Sequence, residues 1–159
     1  MVHSTMEDEL IKKALTSAKT IAMVGVSSIK KEVSTNIKRR PSIIVMKYLQ
    51  EFGYRVIPVN PFSVGQKICG ETVIAKLEDI TTPIDIVDVF RPSNEAPGLA
   101  EQTIKIQAKV LWLQYGIQND EAKKIVNSKN ITYISNKCIK QEYQRLFLKV
   151  SPVFPALKN

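Results

Sequence analysis

A short run of small, hydrogen-bonding residues follows the first apolar segment of this chain. Gly25-Val26-Ser27-Ser28 comes directly after Thr20-Ile21-Ala22-Met23-Val24, a run that is typical of a buried strand. Backbone N–H groups and two hydroxyls in such a position could hold a phosphate group. A plain turn, in which Gly25 supplies an unusual backbone angle, fits the same residues. The run therefore predicts either a phosphate-binding loop or a strand-ending turn.

Positive charge is concentrated just after this run. Residues 30–40 contain Lys30, Lys31, Lys38, Arg39 and Arg40 against one acid, Glu32, and the whole chain carries a formal net charge of +8. A basic chain suggests an anionic partner, which could be nucleic acid, a membrane surface or a phosphate-rich small molecule. The same excess of lysine could equally reflect general residue usage. No nucleic-acid-binding motif accompanies the basic run, so nucleic acid is the weaker hypothesis.

The elements that must position these residues alternate along the chain. Apolar runs predict strands at 20–24, 54–59, 84–90, 110–113 and 131–134, and amphipathic runs predict helices at 4–18, 42–52, 93–107, 119–127 and 138–148. A short helical turn is expected at 77–80, within a connection whose residues 61–76 read as irregular. Continuously apolar strands that alternate with helices favour a doubly wound, mainly parallel five-stranded sheet with helices on both faces.

Length and composition limit the function classes. The 159 residues predict a single domain, with an N-terminal helix in 1–19, a core in 20–148 and an extended tail in 149–159. Two cysteines exclude a disulfide scaffold, and no apolar run is long enough for a membrane span. The start of the chain does not resemble a signal peptide, so we expect a cytoplasmic protein. With His3 as its lone histidine, the chain predicts no metal site and no catalytic constellation.

In an open α/β sheet, ligands bind beyond the carboxyl ends of the strands. That rule selects four segments, which are residues 25–29, Asn60-Pro61, Phe90-Arg91-Pro92 and Gln114-Tyr115-Gly116. The dinucleotide fingerprint G-x-G-x-x-G is absent, and Asn60 stands where an acidic residue would hold the ribose of NAD. The P-loop motif is absent too. The ligand class that remains is a nucleotide that carries extra phosphate and needs no acidic residue at its ribose.

Several stretches match a known family in order along the chain. They are Met23-Val24-Gly25-Val26-Ser27, Arg40-Pro41-Ser42, Tyr48-Leu49, the run from Gly53 to Pro61, Asp-Ile-Val-Asp-Val-Phe-Arg-Pro at 85–92, and Lys-Val-Leu-Trp-Leu-Gln-Tyr-Gly at 109–116. Together they resemble the small bacterial and archaeal CoA-binding proteins, which are stand-alone Rossmann-type domains. These are similar to the CoA-binding domain of the succinyl-CoA synthetase α subunit. The resemblance covers roughly residues 20–143.

The resemblance implies a role for each matching position. The CoA phosphates would be met by Gly25, Val26, Ser27, Ser28, Arg40 and Ser42. Asn60 and Pro61 would pack beside the adenine and ribose. Phe90 and Arg91 would line the next strand end, and Gln114 and Gly116 would line the pantetheine path.

Structural interpretations of the same residues stay open. Arg40-Pro41-Ser42 could simply begin a helix, and Asn60-Pro61 could simply end a strand. Phe90 could be core with Arg91 in solvent, and Trp112 is expected in the core rather than on adenine.

The chain departs from the family in two places. Residues 29–39 look like an insertion between the phosphate loop and Arg40, and they could clamp a ligand or form a mobile loop. The family's later Glu-His is Glu142-Tyr143 here, so no role of that histidine applies. Cys138, at a predicted helix start, could be a reactive thiol or a small buried residue.

The sequence thus predicts a protein that binds CoA or an acyl-CoA without chemistry of its own, in a regulatory or carrier role. An oxidoreductase-like domain that binds NAD(P) is the first alternative, because the basic loop could suit the extra phosphate of NADP. A basic nucleic-acid-binding module is the second. A protein partner is possible, and a membrane partner is not expected.

Overall fold

Helices and strands alternate along residues 5–26 and 41–148, the part of the chain that the computed structural model describes. The strands are β1 (Thr20–Val24), β2 (Arg55–Val59), β3 (Lys67–Ile68), β4 (Glu71–Thr72), β5 (Ile86–Val89), β6 (Val110–Leu113) and β7 (Thr132–Ile134). The helices are α1 (Met6–Ser17), α2 (Pro41–Glu51), α3 (Ala96–Lys105), α4 (Asp120–Asn127) and α5 (Ile139–Tyr143). Single 3₁₀ turns lie at Leu77–Asp79 and Ser93–Glu95, and a π-helix, Gln144–Leu148, continues α5.

Five of these strands form one parallel sheet in the order β2-β1-β5-β6-β7. In its middle, Ala22 of β1 pairs with Ile57 of β2 on one side and with Val87 of β5 on the other. The predicted doubly wound, parallel five-stranded sheet is confirmed. Because the chain moves outward in one direction from β1 to β2 and in the opposite direction from β5 onward, the strand order reverses between β1 and β5.

Alternate residues of each strand enter two apolar cores, one on each face of the sheet. Ile21 and Met23 pack beneath α1, α2 and α5, whereas Ala22 and Val24 pack beneath α3 and α4. Trp112 is fully buried in the first core, and its indole nitrogen donates to the carbonyl of Lys137 at 2.8 Å. The strands therefore read as continuously apolar because helices cover both faces.

Polar side chains fix where the helices begin. Thr5 caps α1 by accepting from the backbone N–H of Asp8 at 2.9 Å. Asn119 caps α4 in the same way through the N–H of Ala122, at 2.8 Å. Each cap satisfies a backbone donor that has no partner inside the helix.

The connection after β2 contains a small antiparallel hairpin that the sequence analysis did not predict. Residues 61–76 were expected to be irregular, yet β3 and β4 pair across a two-residue turn at Cys69 and Gly70. Both turn residues have positive φ, 51° and 84°, which is the geometry of a type I′ turn. Beyond the hairpin, the N–H of Ile74 donates to the carbonyl of Pro58 at 2.9 Å, so this segment covers the outer edge of β2.

The predicted tail at 149–159 lies outside the described residues, and the single-domain boundary at 1–159 stays a prediction. No helix in residues 5–26 or 41–148 is long and apolar enough to cross a membrane. Within the same ranges, no three His, Cys, Asp or Glu side chains gather closely enough to hold a metal ion.

Candidate functional site

The reversal of strand order brings two loops together at the carboxyl edge of the sheet. Gly25 follows β1 and Phe90 follows β5, and the two neighbouring strands are hydrogen-bonded up to that point. The N–H of Phe90 donates to the carbonyl of Val24 at 2.8 Å. Such a switch point opens a crevice in which ligands of doubly wound proteins bind.

Gly25 allows the two loops to approach each other closely. Its φ is +93°, which L side chains rarely adopt, and a Cβ atom there would lie 2.7 Å from the carbonyl oxygen of Phe90. The same Cβ would lie 2.7 Å from Cδ of Arg91. Any larger residue at this position must push the loop after β1 away from the loop after β5.

Asn60 fastens the loop after β1 to the end of β2. Its Nδ2 donates to the carbonyl of Val26 at 2.7 Å, and its Oδ1 accepts from the N–H of Phe62 at 2.8 Å. The side-chain amide is therefore used within the protein at both ends. Of the two interpretations that the sequence left open, a turn-holding role has direct support from these contacts.

On the α3 face of the crevice lies a cleft of about 210 Å³, here called the Arg91 cleft. Its lining combines an apolar floor with a few polar groups: Val24, Gly25, Val59, Asn60, Pro61, Phe62, Ala75, Leu77, Arg91, Glu95, Leu99 and Gln102. Phe62, which the sequence analysis did not select, is 79% exposed and presents an aromatic ring there. Four predicted residues, Gly25, Asn60, Pro61 and Arg91, meet in this cleft.

Arg91 supplies the positive charge of the Arg91 cleft, and its guanidinium group is paired with the carboxylate of Glu95. The guanidinium makes two parallel hydrogen bonds to the carboxylate, from Nε to Oε1 at 3.0 Å and from Nη2 to Oε2 at 2.7 Å. These bonds lower the pKa of Glu95 below its usual value. Both side chains are substantially exposed, so the pair is weak and its guanidinium can exchange partners. The sequence analysis did not select Glu95, because Arg91 lies before the first helical residue and the spacing of the two gives no helical signal.

On the opposite face, between the first turn of α2 and the start of α5, lies a larger cavity of about 530 Å³. We call it the Cys138 cavity. Its lining is mostly apolar: Pro41, Ile44, Val45, Phe90, Gln114, Tyr115, Ile117, Cys138, Lys140 and Gln141. Phe90 lines this cavity while the next residue, Arg91, lines the Arg91 cleft, so the end of β5 joins the two spaces.

Gln114 and Gly116, the predicted pantetheine contacts, differ in position. Gln114 is 6% exposed and lines the Cys138 cavity, where its Oε1 accepts from the N–H of Ile139 at 3.1 Å. Gly116 lines neither space. Its N–H donates to the side chain of Asn136 at 2.7 Å, which holds the loop after β6 against the loop after β7.

The remaining predicted contacts are buried or lie outside the described residues. The side chain of Val26 is fully buried in the core beneath α2, so only its backbone could meet a ligand. Ser42 is 3% exposed in the first turn of α2 and lines neither space. Ser27, Ser28, Arg40 and the insertion at 29–39 lie outside the described ranges.

The two aspartates in the run at 85–92, Asp85 and Asp88, have different surroundings. Asp85 accepts the N–H groups of Lys19 and Thr20, at 2.8 and 3.1 Å. Asp88 is fully buried inside β5, and neither of its oxygens has a hydrogen-bond partner among the described residues. Burial raises the pKa of the Asp88 carboxyl well above its usual value. The two carboxyl groups do not form an acid–base pair.

Comparison with known proteins places the fold and the family. A model of the CoA-binding domain family matches residues 19–144. An uncharacterized Bacillus subtilis protein, YneT, is 39% identical over 130 residues, which are 82% of this chain and 89% of YneT. A solved structure from Thermus thermophilus superimposes with a TM-score of 0.80 at 35% identity and covers 89% of this chain and 100% of its own. One from Pyrococcus horikoshii gives 0.79 at 35% identity, covering 92% and 99%.

Proposed function

Because this chain belongs to the CoA-binding domain family, we propose that it binds CoA or an acyl-CoA across the carboxyl edge of its sheet. The nucleotide end lies in the Arg91 cleft and the pantetheine arm in the Cys138 cavity. The observation that carries this proposal is that consecutive residues at the end of β5 line the two spaces, Phe90 the Cys138 cavity and Arg91 the Arg91 cleft. An elongated ligand with one charged end and one largely apolar end fits that arrangement.

Each space suits the end of CoA that we assign to it. Arg91 can pair with phosphate by the same two-pronged geometry that it now makes with Glu95. The exposed ring of Phe62 and the adjacent Pro61 offer a surface on which adenine stacks. In the Cys138 cavity, Ile44, Val45 and Phe90 form an apolar wall for the pantetheine chain.

The role that we infer is binding, as a sensor or carrier of CoA, without chemistry on the acyl group. Residues 27–40 contain the predicted phosphate contacts Ser27, Ser28 and Arg40, with Lys38 and Arg39 directly before Arg40. They are expected to add contacts to the phosphates of CoA, including the 3′-phosphate that NAD lacks.

A matched pair of arginine variants tests the proposal. Arg91→Met keeps the aliphatic stem and removes the phosphate ligand, and we expect it to weaken CoA binding about tenfold or more. Arg55→Met is the control, since Arg55 also pairs with a glutamate, Glu71, but at the amino end of β2. Both variants remove one charge, so general electrostatic attraction changes equally.

Calorimetric titration and thermal shift would use CoA, dephospho-CoA, ATP and NADPH. Ligand at about 100 times its dissociation constant adds about 2.7 kcal/mol of stability, which raises the midpoint by several degrees. We expect CoA to bind more tightly and to raise the thermal midpoint more than dephospho-CoA does, and NADPH to have little effect on either quantity. Tight NADPH binding without CoA binding would replace this proposal by the oxidoreductase alternative. An equal loss of CoA affinity in Arg91→Met and Arg55→Met would show that the Arg91 cleft is not part of the binding site.

A further inference from the structure

Cys138 is a free thiol in the cavity that we assign to the thiol end of the ligand. It is half-buried, and it packs against the core residues beneath α5. The other cysteine, Cys69, is also free and half-buried, but it lies in the β3–β4 turn and lines neither the Arg91 cleft nor the Cys138 cavity. The chain thus carries two thiols of similar exposure, of which one faces the proposed site.

A second group in the Cys138 cavity is built to meet a ligand. Gln114 is more than nine-tenths buried and lines the cavity, and only its Oε1 is engaged, by the N–H of Ile139. Its Nε2 makes no hydrogen bond to any described residue, yet it is not among the side-chain atoms sealed in the core. The Nε2 atom is therefore open to the cavity, where a carbonyl group of a ligand can accept a hydrogen bond from it. The pantetheine arm carries two amide carbonyls before its thiol.

A lysine also lines the Cys138 cavity. Lys140 lines the same cavity two residues beyond Cys138, and its Nζ lies 5.1 Å from the centre of the Tyr48 ring. Thiol–disulfide exchange proceeds through an attacking thiolate and releases another. Burial raises the pKa of the Cys69 thiol above its usual value, which disfavours the same reaction there.

We propose that Cys138 captures CoA covalently, as a mixed disulfide formed by exchange with CoA disulfide. The Cys138 thiolate attacks one sulfur of CoA disulfide, the S–S bond of that disulfide breaks, and a bond forms from Sγ to the CoA sulfur. The second CoA leaves as a thiolate and takes up the proton that Cys138 gave to solvent. Electrons balance without a further oxidant. The inference rests on the proposed function, and it makes the bound state respond to the oxidation of the CoA pool.

The experiment compares two disulfides on four proteins. Wild type, Cys138→Ser, Cys69→Ser and Arg91→Met are incubated with CoA disulfide or glutathione disulfide, and adducts are located by mass spectrometry of peptides. In wild type and Cys69→Ser we expect Cys138 to react at least tenfold faster with CoA disulfide than with glutathione disulfide. Arg91→Met should lose that preference, because it removes the residue that pairs with the CoA phosphates. Cys138→Ser should give no CoA adduct but should still bind reduced CoA in calorimetry.

The outcomes separate the two proposals. Tight binding of reduced CoA without an adduct at Cys138 would overturn the covalent step and leave the proposed function standing. Equal rates with both disulfides at Cys138 would overturn CoA-directed capture. Absence of CoA binding in calorimetry would overturn the proposed function itself.

A Gln114 variant tests the role of the free amide donor. Gln114→Glu keeps the acceptor for Ile139 and replaces that donor. Slower capture of CoA disulfide, but not of glutathione disulfide, is expected for this variant, and no slowing would overturn the role of Gln114.

Discussion

At the scale of single residues, Asp88 places a carboxyl group inside an apolar layer. Its neighbours across the sheet are Met23 on β1 and Trp112 on β6, both fully buried. No described residue offers a hydrogen bond to it, so the charged form is disfavoured and the pKa of Asp88 is raised well above its usual value. The folded protein therefore keeps this proton at pH values where an unfolded chain has released it.

This proton makes stability depend on pH with a definite sign. As pH rises above the ordinary value of 3.8, the unfolded state loses the Asp88 proton first. The free energy of unfolding therefore falls until the raised pKa is reached. Asp88→Asn keeps the shape and removes the titration, so its stability should fall less than that of the wild type over the pH range above this ordinary value. Urea unfolding across that range measures it, with exposed Asp79→Asn as the matched control. A parallel pH dependence in Asp88→Asn and wild type would contradict the interpretation.

Several site residues could be predicted from the sequence and their partners could not. Gly25, Asn60 and Arg91 each follow a strand, and the polar ends of parallel strands must meet at one edge of the sheet. The Asn60 amide hydrogen-bonds to Val26 and to Phe62. These partners depend on how two loops pack, which the sequence does not show. Cys138 reaches the site only because α5 begins beside the end of β6.

At the scale of elements, the approach of the β1 and β5 loops depends on Gly25. We expect Gly25→Ala to lower the free energy of unfolding by about 2 kcal/mol or more, because its backbone is left-handed and its Cβ would collide with the carbonyl of Phe90. CoA binding should weaken too, since the loops that border both spaces separate. Thermal denaturation and calorimetry of the same variant measure the two effects.

Gly98 supplies the control for that variant. It lies within α3, its φ is not left-handed, and a Cβ there would meet nothing within 4 Å. Gly98→Ala should leave CoA binding unchanged and raise stability by up to about 1 kcal/mol, through helix propensity. Similar losses of stability in both variants would show that the close approach at Gly25 is not the cause.

The elements themselves were predicted to different degrees. All five strands of the parallel sheet were expected within about two residues of their observed ends, since long apolar runs bounded by turns are a strong signal. The β3–β4 hairpin was missed because strands of two residues cannot show alternation. Its turn, Cys69-Gly70, also lacks the Asn-Gly or Asp-Gly pattern that predicts such hairpins.

At the scale of the whole molecule, the net charge of +8 draws anions in general, whereas the crevice selects among them. Lysines spread over the surface attract a nucleic acid mainly through counterion release. CoA in the proposed site would be held by Arg91, stacking and apolar contacts within two concave spaces. The two modes of binding therefore differ in how salt affects them.

Salt titration separates these modes for one protein. We expect binding of single-stranded RNA, measured by fluorescence anisotropy, to be largely lost between about 50 and 200 mM salt, because each phosphate contact adds to the salt dependence. CoA affinity should change much less over the same range, since adenine stacking and burial of the pantetheine chain are not screened. At low salt, excess CoA should displace only the RNA whose phosphates bind to Arg91, because the CoA phosphates compete for the same side chain. RNA that still binds measurably at the higher salt concentration and is unaffected by CoA would favour the nucleic-acid-binding alternative, because contacts to bases, unlike contacts to phosphates, are not screened by salt.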